Sequence, residues 1–172
     1  MENVFLARQP IFDRDSKVVG YELLYRSEDM DRAVFPDGNK ATSVVISNAF
    51  MDIGIEKLVG DKLVFLNLTK EYVLGDYTLP PENENVVLEV LEDIDFNQDI
   101  VQSIKGLSEK GYQVALDDVV DPNHVKDVLS LADIVKVDLL AVDSSLLRYH
   151  VDQYRRHDIL ILAERSTPSI IF

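Results

Sequence analysis

Seven short apolar runs recur along the chain, at residues 4–11, 18–25, 63–68, 86–91, 113–116, 134–137 and 159–163, and segments with helical spacing lie between most of them. This alternation constrains the fold more than any other feature. A short, nearly continuous apolar run is how a strand buried on both faces reads, and helices carry a chain from one parallel strand to the next. Residues 41–53 have a helical pattern. Ile100, Ile104 and Leu107 recur at i, i+4 and i+7 behind Asn97, which is placed to cap, and Gly111 supplies the stop. Residues 125–132 and 144–154 complete the helical set. The pattern predicts an α/β fold with a parallel sheet or barrel. Only the opening differs: Ile11-Phe12-Asp13-Arg14-Asp15-Ser16-Lys17-Val18 sets a polar turn between two runs and predicts an antiparallel hairpin. Residues 80–85, starting Pro80-Pro81, read as a surface loop. No repeat or flexible linker interrupts the chain, so one domain over residues 1–172 is the simplest account.

Five of the runs end on a polar or ionisable side chain: Phe65-Leu66-Asn67, Val87-Leu88-Glu89, Ala115-Leu116-Asp117-Asp118, Val135-Lys136-Val137-Asp138 and Leu162-Ala163-Glu164. Glu22 interrupts an earlier run in the same way. In a (β/α) barrel the carboxyl ends of all strands open on one mouth, which would gather Glu22, Asn67, Glu89, Asp117, Asp118 and Glu164 around Lys136. Carboxylates so crowded raise one another's pKa unless cations sit between them. An oxygen-rich cluster of this kind suits magnesium, manganese or calcium. Each residue also has a purely structural alternative. Asn67 serves equally as a turn former, Asp117 and Asp118 as N-caps, and Lys136 with Asp138 as an ion pair across strand ends. Glu92, Asp93 and Asp95 read as a solvated strand end. His124, His150 and His157 lack a metal-ligand spacing and read as surface residues.

Composition removes several function classes. At 172 residues, 47% hydrophobic and 28% charged, the chain has the make-up of a globular domain. It has no cysteine, which excludes disulfides, zinc–thiolate sites and a cysteine nucleophile. A net charge of −14 opposes binding to DNA or RNA polymers, whose affinity comes mostly from Lys and Arg displacing counterions. No apolar run approaches the roughly 20 residues of a membrane span, and Met1-Glu2-Asn3 does not open a signal peptide. A cytoplasmic location without membrane contact is the expectation.

Gln9-Pro10-Ile11 followed by Gly20-Tyr21-Glu22-Leu23-Leu24-Tyr25-Arg26 resembles the opening of EAL domains, the bacterial signal-transduction family of cyclic-di-GMP phosphodiesterases. Glu22-Leu23-Leu24 stands where the EAL signature stands. The later motifs follow in the family's order. Phe65-Leu66-Asn67-Leu68-Thr69 resembles its metal-binding Asn segment, and Leu88-Glu89-Val90-Leu91-Glu92 its Glu-x-Thr-Glu segment. Ala115-Leu116-Asp117-Asp118 is similar to the start of its Asp-Asp-Phe-Gly loop, Val135-Lys136-Val137-Asp138 to its Lys-Ile-Asp motif, and Leu162-Ala163-Glu164 to the start of Ala-Glu-Gly-Val-Glu. Ala7-Arg8-Gln9-Pro10-Ile11-Phe12-Asp13 and Val87-Leu88-Glu89-Val90-Leu91-Glu92 look most like EAL domains that precede an HDOD output domain.

The resemblance implies a TIM-like (β/α) barrel and a magnesium- or manganese-dependent hydrolase that opens cyclic-di-GMP to pGpG. Glu22, Asn67, Glu89 and Asp117 would hold one cation, and Asp117 with Asp118 a second. Lys136 would orient water or phosphate, Glu164 would act as ligand or base, and Gln9, Leu24 and Arg26 would line the nucleotide pocket. Three departures point to weak or absent turnover. Val119-Val120-Asp121-Pro122 replaces the family's Phe-Gly-Thr-Gly, Thr167 replaces a carboxylate behind Arg165-Ser166, and the chain ends at Phe172, before the family's last strand and helix. The expectation is a C-terminally incomplete EAL barrel acting as a degenerate binding or interaction module of cyclic-di-GMP signalling. An active phosphodiesterase and a purely structural dimerisation domain are the alternatives. An incomplete barrel leaves a sheet edge to be covered by the chain's tail at Ile170-Ile171-Phe172, by a second copy in a homodimer, or by a missing C-terminal HDOD domain.

Overall fold

A computed structural model describes residues 4–27, 37–164 and 170–171. The first two strands, β1 (Val4–Phe12) and β2 (Val18–Ser27), form the expected antiparallel hairpin. Asp13 builds its turn: one carboxylate oxygen accepts from the N–H groups of Asp15 at 2.9 Å and Lys17 at 2.8 Å. From β2 onward each strand pairs parallel with the next, through β3 (Leu63–Leu68), β4 (Val86–Val90), β5 (Gln113–Leu116), β6 (Ile134–Asp138) and β7 (Leu160–Glu164). The sheet curls far enough for a two-residue strand, β8 (Ile170–Ile171), to join its ends. This strand runs antiparallel to β7 and touches β1 through the single pair Phe12 and Ile170. Of the three covers expected for the edge, the chain's own tail is the one seen, and it joins the ends of the sheet. The eighth position holds two residues of the tail in place of a full parallel strand.

Helix α1 (Gly38–Ile46) is capped by Asp37, whose side chain accepts from the Asn39 N–H at 3.1 Å, and it continues as a π-helical turn over Ser47–Ile53. Gly54, at φ 88°, ends it. Two single-turn helices went unforeseen, α2 (Ile55–Val59) and α3 (Lys70–Leu74). Helix α4 (Gln98–Glu109) begins as its sequence predicts, with the Asn97 side chain accepting from the Ile100 N–H at 3.1 Å. Helix α5 (Ser144–Arg155) starts from Asp143 in the same manner. The predicted helix over residues 125–132 is corrected. His124 to Asp121, Val128 to Val125, Leu131 to Val128 and Ala132 to Leu129 are all i to i−3 bonds, so the segment winds in tight turns with a 3-10 element only at Leu129–Leu131. Val125, Val128 and Leu129 are buried, so their apolar spacing serves packing without an α-helix.

Alternation along the strands divides the buried side chains into two cores. Leu66, Leu68, Leu88, Val90, Val114, Leu116, Val135 and Val137 face outward and pack with Val45, Ile104, Leu107 and Tyr154 of the helices. Ile11, Phe65, Val87, Ala115, Ile134 and Leu162 face inward as a separate apolar plug. Gly20 makes that plug possible, because a Cβ there would stand 3.0 Å from the Phe65 ring. One further step of two residues along each strand, the inward position changes character: Phe65 gives way to Asn67, Val87 to Glu89, Ala115 to Asp117, Ile134 to Lys136 and Leu162 to Glu164.

Candidate functional site

That second inward layer is a ring of carboxylates about one ammonium group. Lys136 Nζ lies 2.7 Å from Asp117 Oδ1, 2.9 Å from Glu89 Oε1, 2.9 Å from Glu164 Oε1 and 3.7 Å from Glu22 Oε2. Lys136 is 2% exposed and Glu89 is 0% exposed, so both charges have left water. Asn67 on β3 donates through Nδ2 to Glu22 Oε1 at 3.0 Å, and Thr42 of α1 anchors the same strand end by donating to the Asn67 carbonyl at 3.0 Å. Asp118 stands one residue beyond the ring, with a left-handed φ of 41°. It brings a carboxylate oxygen into a cluster with Asp117 and Glu164 whose ligand atoms all lie within 4.8 Å of one another.

Burial sets the electrostatics. It pushes Glu89 well above the ordinary carboxylate range, against the pull of Lys136 and with the help of Glu22 and Asp117. Burial raises Asp117 in the same way, again opposed by Lys136. It lifts Glu164 to about 7, with Lys136 pulling the other way. For Lys136 burial opposes the charge, but Glu89, Glu22, Asp117 and Glu164 more than reverse this and hold the ammonium form. One cation is therefore too few for the carboxylates around it. Glu89 Oε2 and Asn67 Oδ1 are buried oxygens without a hydrogen-bond partner, and they sit beside Glu22 and Asp117. An all-oxygen donor set with orphaned acceptors and surplus negative charge fits a hard divalent cation such as magnesium or manganese.

The other expected residues lie around this ring. Gln9 pairs in register with Glu22 and is exposed at the mouth. Leu24 and Arg26 follow Glu22 at two-residue steps on β2; Leu24 lines a cavity of about 190 Å³ that Asn67 also borders, and Arg26 is exposed. Asp138, weighed above as an ion-pair partner of Lys136, accepts from the N–H groups of Leu140 at 2.8 Å and Ala141 at 3.3 Å, and so shapes the turn after β6. Glu92, Asp93 and Asp95 are exposed, as read. His124 and His157 are exposed too, but His150 is not: it is 5% exposed on α5 and its Nδ1 lacks a hydrogen-bond partner. It lies four residues before the buried Tyr154 and so on the same side of α5, a spacing that was visible in the sequence. Thr42 was also passed over, although it interrupts the apolar face of α1.

No family model matches the chain. Its relatives include YuxH of Bacillus subtilis (strain 168), 35% identical over 167 residues, and the cyclic di-GMP phosphodiesterase CdgJ of Vibrio cholerae, 31% identical over 145 residues. These matches cover 94% and 83% of this chain. Among solved structures, an EAL domain protein from Listeria monocytogenes superposes with a TM-score of 0.70 at 19% identity, over 93% of this chain and 76% of that one. The chain belongs to the EAL family. A second EAL-domain protein, YkuI of Bacillus subtilis, was solved in complex with cyclic-di-GMP and calcium; it matches with a TM-score of 0.62 at 20% identity, over 93% of this chain and 47% of that one. This EAL domain spans 41% of YuxH and 33% of CdgJ.

Within the EAL domain, the replaced loop after Asp118 is ordered by the sheet. The Val119 N–H donates to the Lys136 carbonyl at 2.9 Å, and the Val119 side chain is 4% exposed. Residues 119–122 all have negative φ, so this path has no need of the missing glycines; the one left-handed residue is Asp118. Thr167, Arg165 and Ser166 lie outside the described residues, as does Phe172. Among the described residues no helix is long and apolar enough to cross a membrane.

Proposed function

We propose that this EAL domain binds cyclic-di-GMP in its barrel mouth and hydrolyses it to pGpG with a divalent cation. The observation that carries this reading is the convergence of Glu22, Glu89, Asp117 and Glu164 on Lys136, at one end of the barrel, with two orphaned buried oxygens beside them. CdgJ, a cyclic di-GMP phosphodiesterase, and YkuI, solved with cyclic-di-GMP, supply the substrate class. Glu22, Asn67, Glu89 and Asp117 would hold one cation, and Asp118 would help Asp117 to hold a second. Such cations supply positive charge at the phosphate and make a water easier to deprotonate. In the reaction the water oxygen bonds to phosphorus and the bond from phosphorus to the ribose 3′-oxygen breaks. Glu164, poised near neutrality, is placed to take the proton from water, and the leaving 3′-oxygen gains one. Lys136 orients the phosphate or the water, and Gln9, Leu24 and Arg26 contact the nucleotide.

The weak turnover expected above rests on a rebuilt loop, Thr167 and the lack of the family's last strand and helix. The active enzyme is supported by a sheet whose ends the tail joins and by a loop held to β6 through Val119, which keep the carboxylate ring assembled. The second reading, a binding module with little turnover, is favoured by the replacement of that loop by Val119-Val120-Asp121-Pro122. In either reading an HDOD domain or a second copy of the chain is the protein partner to test. Incubation with manganese and cyclic-di-GMP separates the readings. Formation of pGpG, lost in Glu22→Ala and in Lys136→Ala, is the expected result. Binding without pGpG would leave the module, and absence of both binding and metal response would leave a structural domain.

A further inference from the structure

Helix α1 meets the end of β3 and the start of α3 through polar side chains, where a helix packed on a sheet ordinarily uses apolar ones. Asn39, Thr42 and Ser43 lie at i, i+3 and i+4 and so share one side of the helix. Thr42 Oγ1 donates to the Asn67 carbonyl at 3.0 Å, Thr69 Oγ1 donates to Asn39 Oδ1, and Ser43 Oγ stands 2.7 Å from the Tyr72 hydroxyl. The approach is close: a Cβ added to Gly38 would stand 3.0 Å from the Thr69 methyl carbon. Sheet register shows why the Asn67 carbonyl takes its bond from a helix. The pairing of β2 with β3 ends at Leu23 and Leu66, whereas β3 continues against β4 through Asn67 with Glu89 and Leu68 with Val90. The two strands part at Asn67, and the cavity of about 190 Å³ bordered by Leu24, Thr42, Val45 and Asn67 marks the gap. Thr42, 8% exposed, puts its hydroxyl there in place of a β2 partner.

We propose that Thr42 is a positioning residue of the cation site: by holding the Asn67 carbonyl it fixes the backbone from which the Asn67 amide reaches Glu22. The inference rests on the cation reading given above. Asn67 is engaged at two atoms, its carbonyl by Thr42 and its Nδ2 by Glu22 Oε1 at 3.0 Å, and this leaves Oδ1, buried without a hydrogen-bond partner, as the atom it can offer a cation. An amide with its nitrogen committed to Glu22 aims its oxygen wherever the backbone beneath it stands. Without the Thr42 hydroxyl the carbonyl becomes an acceptor deprived of its donor, and the strand end must shift to find another. Groups that orient a ligand from behind typically carry about ten- to a hundredfold in metal affinity.

Manganese calorimetry on the full chain tests this, with Thr42→Val, which keeps the side-chain shape and loses the donor. Wild type should bind manganese about tenfold more tightly than Thr42→Val, and Thr42→Ser, which restores the hydroxyl, should bind as wild type does. A double-mutant cycle separates aim from general support: in an Asn67→Ala background Thr42→Val should cost less than about twofold, because no amide is left to aim. Thr42→Ala is read in the same way should valine disturb the packing of α1. If Thr42→Val and Thr42→Ala both bind within about twofold of wild type, or if the cost of Thr42→Val is as large with Asn67→Ala as without it, the positioning role is overturned while the cation site stands. If wild type binds no manganese, the cation reading fails and the positioning role fails with it.

Discussion

The barrel holds two inward layers built by the same strands, and they obey opposite rules. In the lower one, Ile11, Phe65, Val87, Ala115, Ile134 and Leu162 fill the interior without a polar atom. Two residues further along, Glu22, Asn67, Glu89, Asp117, Lys136 and Glu164 put charge into a space almost as dry. Burial makes the first layer stabilising and the second costly, since an ion taken out of water is repaid only in part by its partners. A fold that needed nothing but stability would continue the plug upward. The retained charges therefore mark where stability yields to chemistry.

Four substitutions or conditions sharpen this contrast, and the largest effect belongs to the plug. Phe65→Ala should lose about 4 kcal/mol in denaturant unfolding, because the fully buried ring fills the barrel beside Gly20. Lys136→Met should lose about 3 kcal/mol in the chelator-treated protein, since it leaves Glu89, Asp117 and Glu164 facing one another without a cation. Glu89→Gln should act in the opposite direction and raise stability by about 1 kcal/mol, since it removes a buried charge that the fold disfavours. A loss there as large as that of Phe65→Ala would erase the distinction between the layers.

The smallest effect is a pH slope. Glu164 has a folded pKa of about 7 against 4.5 for the free side chain, so between those values the native state keeps a proton that the unfolded chain has released. Stability of the chelator-treated protein should therefore fall as pH rises from about 4.5 to about 7, and Glu89 and Asp117 act with the same sign. Lys136, raised, keeps its contribution throughout this window. Melting temperatures read across that range in wild type and Glu164→Gln check it: the variant should show the shallower slope.

Much of this was legible in the sequence because period two writes both layers into each strand. Phe65 and Asn67, or Ile134 and Lys136, lie two apart, so an apolar run ending on an ionisable residue already states which group reaches the mouth. The hairpin, the Asn97 cap and the gathering of carboxylates around Lys136 could be read in the same way. What escaped depends on contacts between distant segments. The tail was one of three covers the sequence offered for the sheet edge; choosing Ile170–Ile171 among them needs the curvature of the whole sheet, which no local pattern carries. The turns at residues 125–132 keep helical spacing while making i to i−3 bonds, so periodicity misled there. The loop after Asp118 was legible only as a departure from the family motif; that its unusual dihedral sits on the aspartate and not on the residues that replaced the glycines depends on the folded path.

The central claim is that the upper layer is a site for a divalent cation, and thermal melting with manganese tests it most directly. Manganese should raise the melting temperature of wild type and leave Asp117→Asn nearly unchanged, since that variant loses a carboxylate shared by both expected cation positions. An equal shift in the two proteins would contradict the account.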